Sequence, residues 1–261
     1  MKKKLVPPAE RERSKRAADR PIPNARADTS GPAVPSFPVI AMAASVGGLE
    51  ALSVILGSLP AGFPAAIAIV MHLSPDHKSI LAELLDRRTP LVVRQARTGD
   101  TLCPSCVFVA PPNHHLSVAT GGRLELSSST AEKVHHARPS AEPLFASVAA
   151  LYGKEAIAVV LTGGDGDGSF GVQIIKDEGG QVIAQDRPTS KDFSMPSTSI
   201  DTGDVDFVLP LDQIASKLME LVGVGGVGAG GAQGRSPSTA RGSVTDGGAA
   251  STNPDAKTRG T

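Results

Sequence analysis

The sequence predicts an α/β protein with a doubly wound, mostly parallel β-sheet that carries helices on both faces and includes an antiparallel excursion. Two observations lead to this fold class. The predicted strands are short runs of almost only apolar residues, which is typical of strands that are buried on both faces. Stretches with the helical spacing of apolar residues alternate with these strands, which is the pattern of a parallel sheet covered by helices.

The first elements are two apolar strands with a helix between them. Residues 38–43 and 65–71 are predicted strands, and residues 49–59 have helical spacing. Ser74, Pro75 and Asp76 then supply an N-cap, a proline at the first helical position and an acid in the first turn. This pattern predicts a helix over residues 74–87.

Shorter strands follow in the middle of the chain. They are expected at residues 91–94, 107–110, 115–118 and 123–126. The Thr-Gly-Gly sequence at 120–122 predicts a hairpin between the last two, which is the expected antiparallel excursion.

The second half returns to alternating helices and strands. Ser140 is expected to cap a helix that runs to residue 152. The most apolar strand is predicted at 156–162, and the elements after it are a helix at 168–177, strands at 182–185 and 205–209, and a last helix at 211–221.

Charge divides the chain into three parts, although the 261 residues have no formal net charge. Residues 1–36 carry a net charge of +5 and are rich in Pro, Arg and Ala, which predicts a disordered basic arm. Residues 223–261 carry a net charge of +2 in a Gly/Ser/Thr-rich sequence, which predicts a disordered tail. Residues 37–222 carry a net charge of −7 and have the length of one domain.

The composition excludes several classes of protein. Two cysteines are too few for a disulfide-stapled secreted scaffold. No run approaches the ~20 apolar residues of a membrane helix, and no apolar signal sequence follows the basic N-terminus. The basic arm lacks the aromatic residues that stack on bases. We therefore expect a cytoplasmic protein that binds no nucleic acid and does not insert into a membrane.

Three polar residues lie in the loops that follow apolar strands. Ser45 follows the first strand, His72 follows the second, and Asp167 follows the strand at 156–162. Ligands of open α/β sheets bind at the carboxyl ends of the strands, so these side chains are expected to meet at one edge of the sheet. A hydroxyl, an imidazole and a carboxylate are the components of an acyl-transfer triad, whatever their order along the chain.

Each of these residues also has a simpler interpretation. Ser45 could cap the helix that starts near Gly47, and the free N–H groups there could equally bind a phosphate. His72 could be a buried, hydrogen-bonded histidine of the core. Asp167 could belong to a plain Gly/Asp turn.

Several motifs resemble the catalytic domain of CheB-type chemotaxis protein-glutamate methylesterases, over about residues 39–221. The first two are ASVGGLEAL, which begins at Ala44, and MHLSP, which begins at Met71. The third is LTGGDGDG, which begins at Leu161, and shorter matches are Ala184-Gln185 and Met195-Pro196. Supporting matches are residues 108–112 with His114 or His115, and Arg138-Pro139-Ser140 before a predicted helix. The HLSPDHKS stretch, which begins at His72, is similar to the version found in methylesterase–methyltransferase hybrid proteins.

The resemblance implies a function and a role for each residue. Ser45 would be the nucleophile, His72 the general base and acid, and Asp167 the group that orients the imidazole. Backbone groups of Val46, Gly47 and Gly164 are candidates to hold the oxyanion or the substrate. The implied substrate is a glutamate γ-methyl ester on the cytoplasmic helices of a chemoreceptor, hydrolysed with release of methanol and without cofactor or metal. Glutamine deamidation is a possible side activity, and a methyltransferase or other chemotaxis proteins are possible partners.

The sequence departs from the family pattern at two places. Val46 stands where a Thr is common, and Gly164-Asp165 stands where Met-Gly is common. These changes keep open the alternative of a catalytically weak CheB-like binding module in a signalling complex. A nucleotide- or phosphate-binding domain that uses the Ser45–Gly48 turn is a further alternative. The family commonly has a receiver domain before the catalytic domain, and residues 1–36 are too short and too basic for one.

Cys103 and Cys106 form a lone C-x-x-C motif. Zinc would need two more ligands, for which His114-His115 or His135-His136 could be considered. A thioredoxin-like redox pair would lie at a helix start, whereas a strand is predicted here. We expect a turn that leads into the strand at 107–110.

Overall fold

The computed structural model describes residues 36–72, 79–134, 136–164 and 166–224. The predicted basic arm and the predicted tail lie outside these ranges, apart from Ser36, Gly223 and Val224. The predicted helix cap at Ser74, Pro75 and Asp76 also lies outside them. None of the helices within the described ranges has the length and apolar character needed to cross a membrane.

The main sheet has seven parallel strands with helices on both faces, and this confirms the predicted fold class. Its strands are β1 (Val39–Ala44), β2 (Ala66–Met71), β3 (Val92–Gln95), β4 (Cys106–Val109), β7 (Ala156–Val160), β8 (Gln181–Gln185) and β9 (Phe207–Leu209). Their order across the sheet is β3-β4-β2-β1-β7-β8-β9. The antiparallel excursion is a separate hairpin of β5 (Leu116–Ala119) and β6 (Arg123–Leu126).

Six α-helices occur in the described residues. They are α1 (Gly48–Gly57), α2 (Leu81–Asp86), α3 (Ala141–Tyr152), α4 (Ser169–Asp177), α5 (Ser194–Ile200) and α6 (Leu211–Leu221). Five of them fall where the sequence predicts helices. The exception is α5, since its sequence SMPSTSI has no apolar period.

The sheet separates two hydrophobic cores. Alternate residues of β1 enter different cores, because successive side chains of a strand point to opposite faces. One core contains Val39, Ala41 and Ala43 together with α3, α4 and the hairpin. The other contains Ile40, Met42 and Ala44 together with α1, α2 and α6.

Cys103 and Cys106 form the predicted turn into β4, and they are also bonded to each other as a disulfide. The sequence interpretation of this motif as a turn alone is therefore incomplete. Ser105, between the cysteines, has a φ of 63°, and this left-handed residue closes the short loop that brings the two sulfurs together.

Candidate active site

The candidate site lies where the order of the strands reverses. From β1, the chain moves outward through β2 on one side and later through β7 on the other. A crevice forms at such a switch point, outside the carboxyl ends of the strands. Ser45, His72 and Asp167 follow β1, β2 and β7, the three central strands.

The backbone around Ser45 turns sharply from β1 into α1. The Ser45 N–H donates to the Thr162 carbonyl at 2.9 Å, and the Ser45 carbonyl accepts from the Gly48 N–H at 2.9 Å. The helix N-cap is Gly47, which has a φ of 83° and no side-chain cap hydrogen bond. The interpretation of Ser45 as the N-cap of this helix is therefore wrong.

His72 lies beside Ser45 because β1 and β2 are paired in register. Ala44 and Met71 are partners, and the His72 N–H donates to the Ala44 carbonyl at 3.1 Å. Ser45 and His72 are thus the next residues on two neighbouring strands, whose backbones lie ~4.8 Å apart.

The imidazole of His72 contacts the carboxylate of Asp167. The distance from Nε2 to Oδ2 is 2.9 Å, and the two residues are 95 positions apart in the sequence. The side chain of Asp167 is wholly buried, whereas that of His72 keeps 14% of its surface exposed. The structure therefore joins two of the three predicted residues directly and puts the third on the adjacent strand end.

Asp167 receives two further hydrogen bonds from the start of α3. The Ser140 hydroxyl donates to Oδ1 at 2.5 Å, and the Ala141 N–H donates to Oδ2 at 2.6 Å. The first N–H groups of a helix have no acceptor within the helix, and the Ala141 N–H has Asp167 as its acceptor. Sequence reasoning assigned Ser140 only to helix capping; its side chain does accept from the Glu142 N–H. Its second contact, with a residue 27 positions away, has no signal in the local sequence.

Thr162 connects the Ser45 turn to the loop before α5. Its hydroxyl donates to the Val46 carbonyl at 2.8 Å and accepts from the Asp192 N–H at 3.0 Å. Thr162 is buried, and its own N–H donates to Gln185 Oε1 at 2.9 Å. The sequence predicts Thr162 as the end of a strand and as part of the LTGGDGDG motif, and neither pattern indicates that it connects these two loops.

The candidate oxyanion donors are backbone N–H groups near Ser45. The N–H groups of Val46, Gly47 and Gly164 make no hydrogen bond with any residue that the structure describes. The N–H of Gly163, by contrast, donates to the Asp192 carbonyl at 2.9 Å. Hydrogen bonds from the Ser194 hydroxyl and N–H hold the pKa of Asp192 below its usual value, so a negative charge persists beside Gly164.

An open cleft of about 520 Å³ gives access to Ser45. Its charged lining residues are Glu50, Arg88 and Lys191. Over the ranges described, no three His, Cys, Asp or Glu side chains are grouped so that they could hold a metal ion.

A hydroxyl, an imidazole and a buried carboxylate at the ends of neighbouring strands are the groups that a serine esterase uses, which makes this class of enzyme the candidate. Comparison with known proteins then identifies the family. Residues 40–218 match the family model described as CheB methylesterase. The chain belongs to the CheB methylesterase family, as the sequence motifs predicted.

Named relatives and a solved structure agree with this assignment. Protein-glutamate methylesterase/protein-glutamine glutaminase 2 of Anaeromyxobacter dehalogenans is 43% identical over 184 residues, covering 70% of this chain and 53% of that protein. Protein-glutamate methylesterase FrzG of Myxococcus xanthus is 36% identical over 222 residues, covering 85% of this chain and 65% of that protein.

The crystal structure of the Thermotoga maritima CheB methylesterase catalytic domain matches with a TM-score of 0.68 and 36% identity, covering 72% of this chain and 100% of that one. The chain thus spans about half the length of the first relative but the whole of this catalytic domain.

Proposed function

We propose that this protein hydrolyses glutamate γ-methyl esters on the cytoplasmic helices of chemoreceptors and releases methanol. The observation that carries the proposal is the 2.9 Å contact of His72 with the buried Asp167, next to the in-register strand end that bears Ser45. Relatives with the name protein-glutamate methylesterase support the choice of substrate.

In the first half of the reaction, Ser45 Oγ attacks the γ-carbonyl carbon and its proton moves to His72. Because Nε2 contacts Asp167, Nδ1 is the ring nitrogen that takes this proton. The tetrahedral intermediate then expels the methoxy group, which receives the proton from His72 and leaves as methanol.

In the second half, water attacks the γ-glutamyl ester of Ser45. His72 takes a proton from the water and returns it to Ser45 Oγ, which leaves a glutamate carboxylate on the receptor. This sequence of steps needs no cofactor and no metal. Ammonia would leave in place of methanol if the substrate were a glutamine side chain, so deamidation follows the same course.

The oxyanion is assigned to the backbone N–H groups of Val46 and Gly47. Both belong to the turn that opens α1, where the end of the helix favours negative charge. Gly164 is the weaker candidate of the three, because the carboxylate of Asp192 lies next to it. Val46 replaces the Thr that is common in the family, and its side chain is exposed, but its backbone N–H is still available as a donor.

The test is methanol release from methylated receptor membranes. We expect Ser45→Ala to lower the rate by more than about a thousandfold, and Asp167→Asn by about 10³–10⁴-fold. Ser58→Ala is the control, since Ser58 is an exposed serine at the other end of α1. A wild-type rate in Ser45→Ala would disprove the assignment of the nucleophile.

Two further measurements separate the alternatives. A protein that binds receptor membranes but releases no methanol would be the CheB-like binding module. Calorimetric titration with mono- and dinucleotides tests the nucleotide-binding domain, and we expect no heat of binding.

A further inference from the structure

A second group of buried polar residues lies behind Asp167, on the side away from His72. Ser140 has none of its surface exposed, and its hydroxyl donates to Asp167 Oδ1 at 2.5 Å. Oδ2, the other oxygen, contacts His72 at 2.9 Å. Ser140 therefore holds the carboxylate oxygen opposite to the one that contacts the imidazole.

His115 lies beneath Ser140, at the start of the hairpin, with only 7% of its surface exposed. Its Nε2 lies 2.9 Å from the Glu132 carbonyl oxygen. A carbonyl oxygen only accepts, so Nε2 carries the proton. Nδ1 then accepts from the Ser140 N–H at 3.2 Å. Both ring nitrogens of a neutral imidazole are thus engaged, and the contacts fix its tautomer.

These contacts form one continuous chain from the hairpin to the candidate site. The Glu132 carbonyl orients His115, His115 accepts from the backbone of Ser140, and Ser140 donates through its side chain to Asp167. A carboxylate can turn about its last side-chain bond, and a donor on Oδ1 restricts that rotation. Without the Ser140 hydroxyl, the buried carboxylate of Asp167 would lose the hydrogen bond to Oδ1, and this loss costs free energy in a buried site.

We propose that Ser140 and His115 are positioning residues for the Asp167–His72 pair: Ser140 fixes the rotation of the Asp167 carboxylate, and His115 fixes Ser140. Neither residue touches the substrate. The kinetic test of this inference rests on the proposed function, whereas the proton resonance of the His72 ring N–H tests it independently of activity.

Ser140→Gly is the central variant. Glycine is nearly as good an N-cap as serine, so α3 keeps its start while Asp167 loses the hydroxyl donor. We expect kcat for methanol release to fall about 10- to 100-fold while KM stays within about twofold. Ser140→Thr keeps a hydroxyl at the same position and should recover most of kcat.

Ser147→Ala is the matched control on the same helix. Ser147 accepts from the Val118 N–H at 3.0 Å and so ties α3 to the hairpin, and its hydroxyl donates to the Leu144 carbonyl rather than to Asp167. We expect its kcat to stay within about twofold of wild type. An equal loss of kcat in Ser147→Ala and Ser140→Gly would show that any disturbance of α3 has this effect, and it would overturn the proposal.

His115 is tested with a pair of substitutions. Asn can accept the Ser140 N–H through a side-chain oxygen near the position of Nδ1, whereas Leu leaves that N–H buried without an acceptor. We expect a loss of kcat in His115→Leu that is substantially smaller in His115→Asn. His114→Leu is the control, because His114 contacts the Ser127 carbonyl and not Ser140. Equal losses in the Leu and Asn variants would disprove the acceptor role of His115.

The independent readout is the proton resonance of the His72 ring N–H in the hydrogen bond to Asp167, identified by its absence in His72→Gln. We expect it to shift or broaden in Ser140→Gly and to return in Ser140→Thr. An unchanged resonance together with an unchanged kcat in Ser140→Gly would overturn the proposal. Absence of methanol release by the wild type would refute the proposed function alone, and the resonance would still decide whether Ser140 positions Asp167.

Discussion

Gly163 lies at the most crowded point beside Ser45. Its N–H donates to the Asp192 carbonyl and its carbonyl accepts from the Met195 N–H, both at 2.9 Å. A Cβ atom at this position would lie 2.0 Å from Met195 Sδ and 2.9 Å from Ser45 Cβ. The absence of a side chain at residue 163 is therefore what allows β7, α5 and the candidate nucleophile to meet.

We expect Gly163→Ala to damage both activity and stability. The buried Met195 side chain and Ser45 would both have to move, and a displacement of about 1 Å at a reacting group can cost ~10²-fold in rate. Overpacking of this kind costs about 1–3 kcal/mol of the free energy of unfolding. Methanol release and urea denaturation measure the two effects.

Gly62→Ala is the control for that substitution, because a Cβ at residue 62 would meet no heavy atom within 4 Å. We expect its rate and free energy of unfolding to remain close to those of wild type. If Gly163→Ala behaved in the same way, the close approach of residue 163 to Ser45 would have no functional consequence.

At the scale of elements, a side chain in the first turn of α3 accepts hydrogen bonds from the N-terminus of α4. Glu142 Oε1 accepts from the Gly168 N–H at 3.2 Å and from the Phe170 N–H at 3.1 Å. The N-cap of α4 is Gly168, which has no side chain to cap the helix. Glu142 therefore serves as a cap from a neighbouring helix, and it fixes the residue that directly follows Asp167.

Glu142→Leu should lower the free energy of unfolding by about 1–3 kcal/mol, because the buried N–H of Gly168 and the partly buried N–H of Phe170 lose their acceptor. Glu142→Gln keeps a side-chain oxygen and should lose less. The measurement is urea denaturation, with Glu83→Leu as the control at an exposed position in the first turn of α2. A change of less than about 0.5 kcal/mol in Glu142→Leu, as expected of the control, would contradict the capping role.

Elements with a strong apolar pattern could be predicted from the sequence. The predicted bounds of α6 are those observed, and β1 and β7 differ from prediction by one or two residues. The helix α5 could not be predicted, since it depends on contacts outside its own sequence. Asp192 Oδ1 accepts from the Ser194 N–H at 3.0 Å, and Met195 is buried in the core under β7.

The candidate site could be predicted only in part, because some of its contacts join residues that lie far apart in the sequence. The rule that ligands bind at strand ends grouped Ser45, His72 and Asp167, and the structure brings His72 and Asp167 into contact; their catalytic roles remain predictions. The supporting contacts of Asp167 could not be predicted, because Ser140 and His115 are 25 residues apart and meet only when α3 packs on the hairpin.

At the scale of the whole molecule, Tyr152 offers a direct measure of folding. It is the chain's single tyrosine, and the chain has no tryptophan. It ends α3, has only 5% of its surface exposed, and its hydroxyl makes no hydrogen bond with the residues that the structure describes. Burial raises the pKa of Tyr152 to about 12 from 10.0.

This shift predicts that stability falls at alkaline pH. Above pH 10 the unfolded chain loses its phenol proton while the folded protein retains it until about pH 12, so the unfolded state binds fewer protons over this range. Stability is thus fully present below pH 10 and declines as the pH rises towards 12.

Tyr152→Phe removes that dependence and also removes a buried hydroxyl that has no partner among the described residues. We expect its stability at neutral pH to equal or exceed that of wild type, and the advantage to grow between pH 10 and pH 12. Urea denaturation over this range measures the difference, and titrations of other groups cancel between the two proteins. Phenolate absorbance of the folded wild type measures the pKa of Tyr152 directly, because the chain has no other tyrosine. Ionisation near pH 10 in the folded protein would mean that Tyr152 is in contact with water and that the end of α3 is not packed as described.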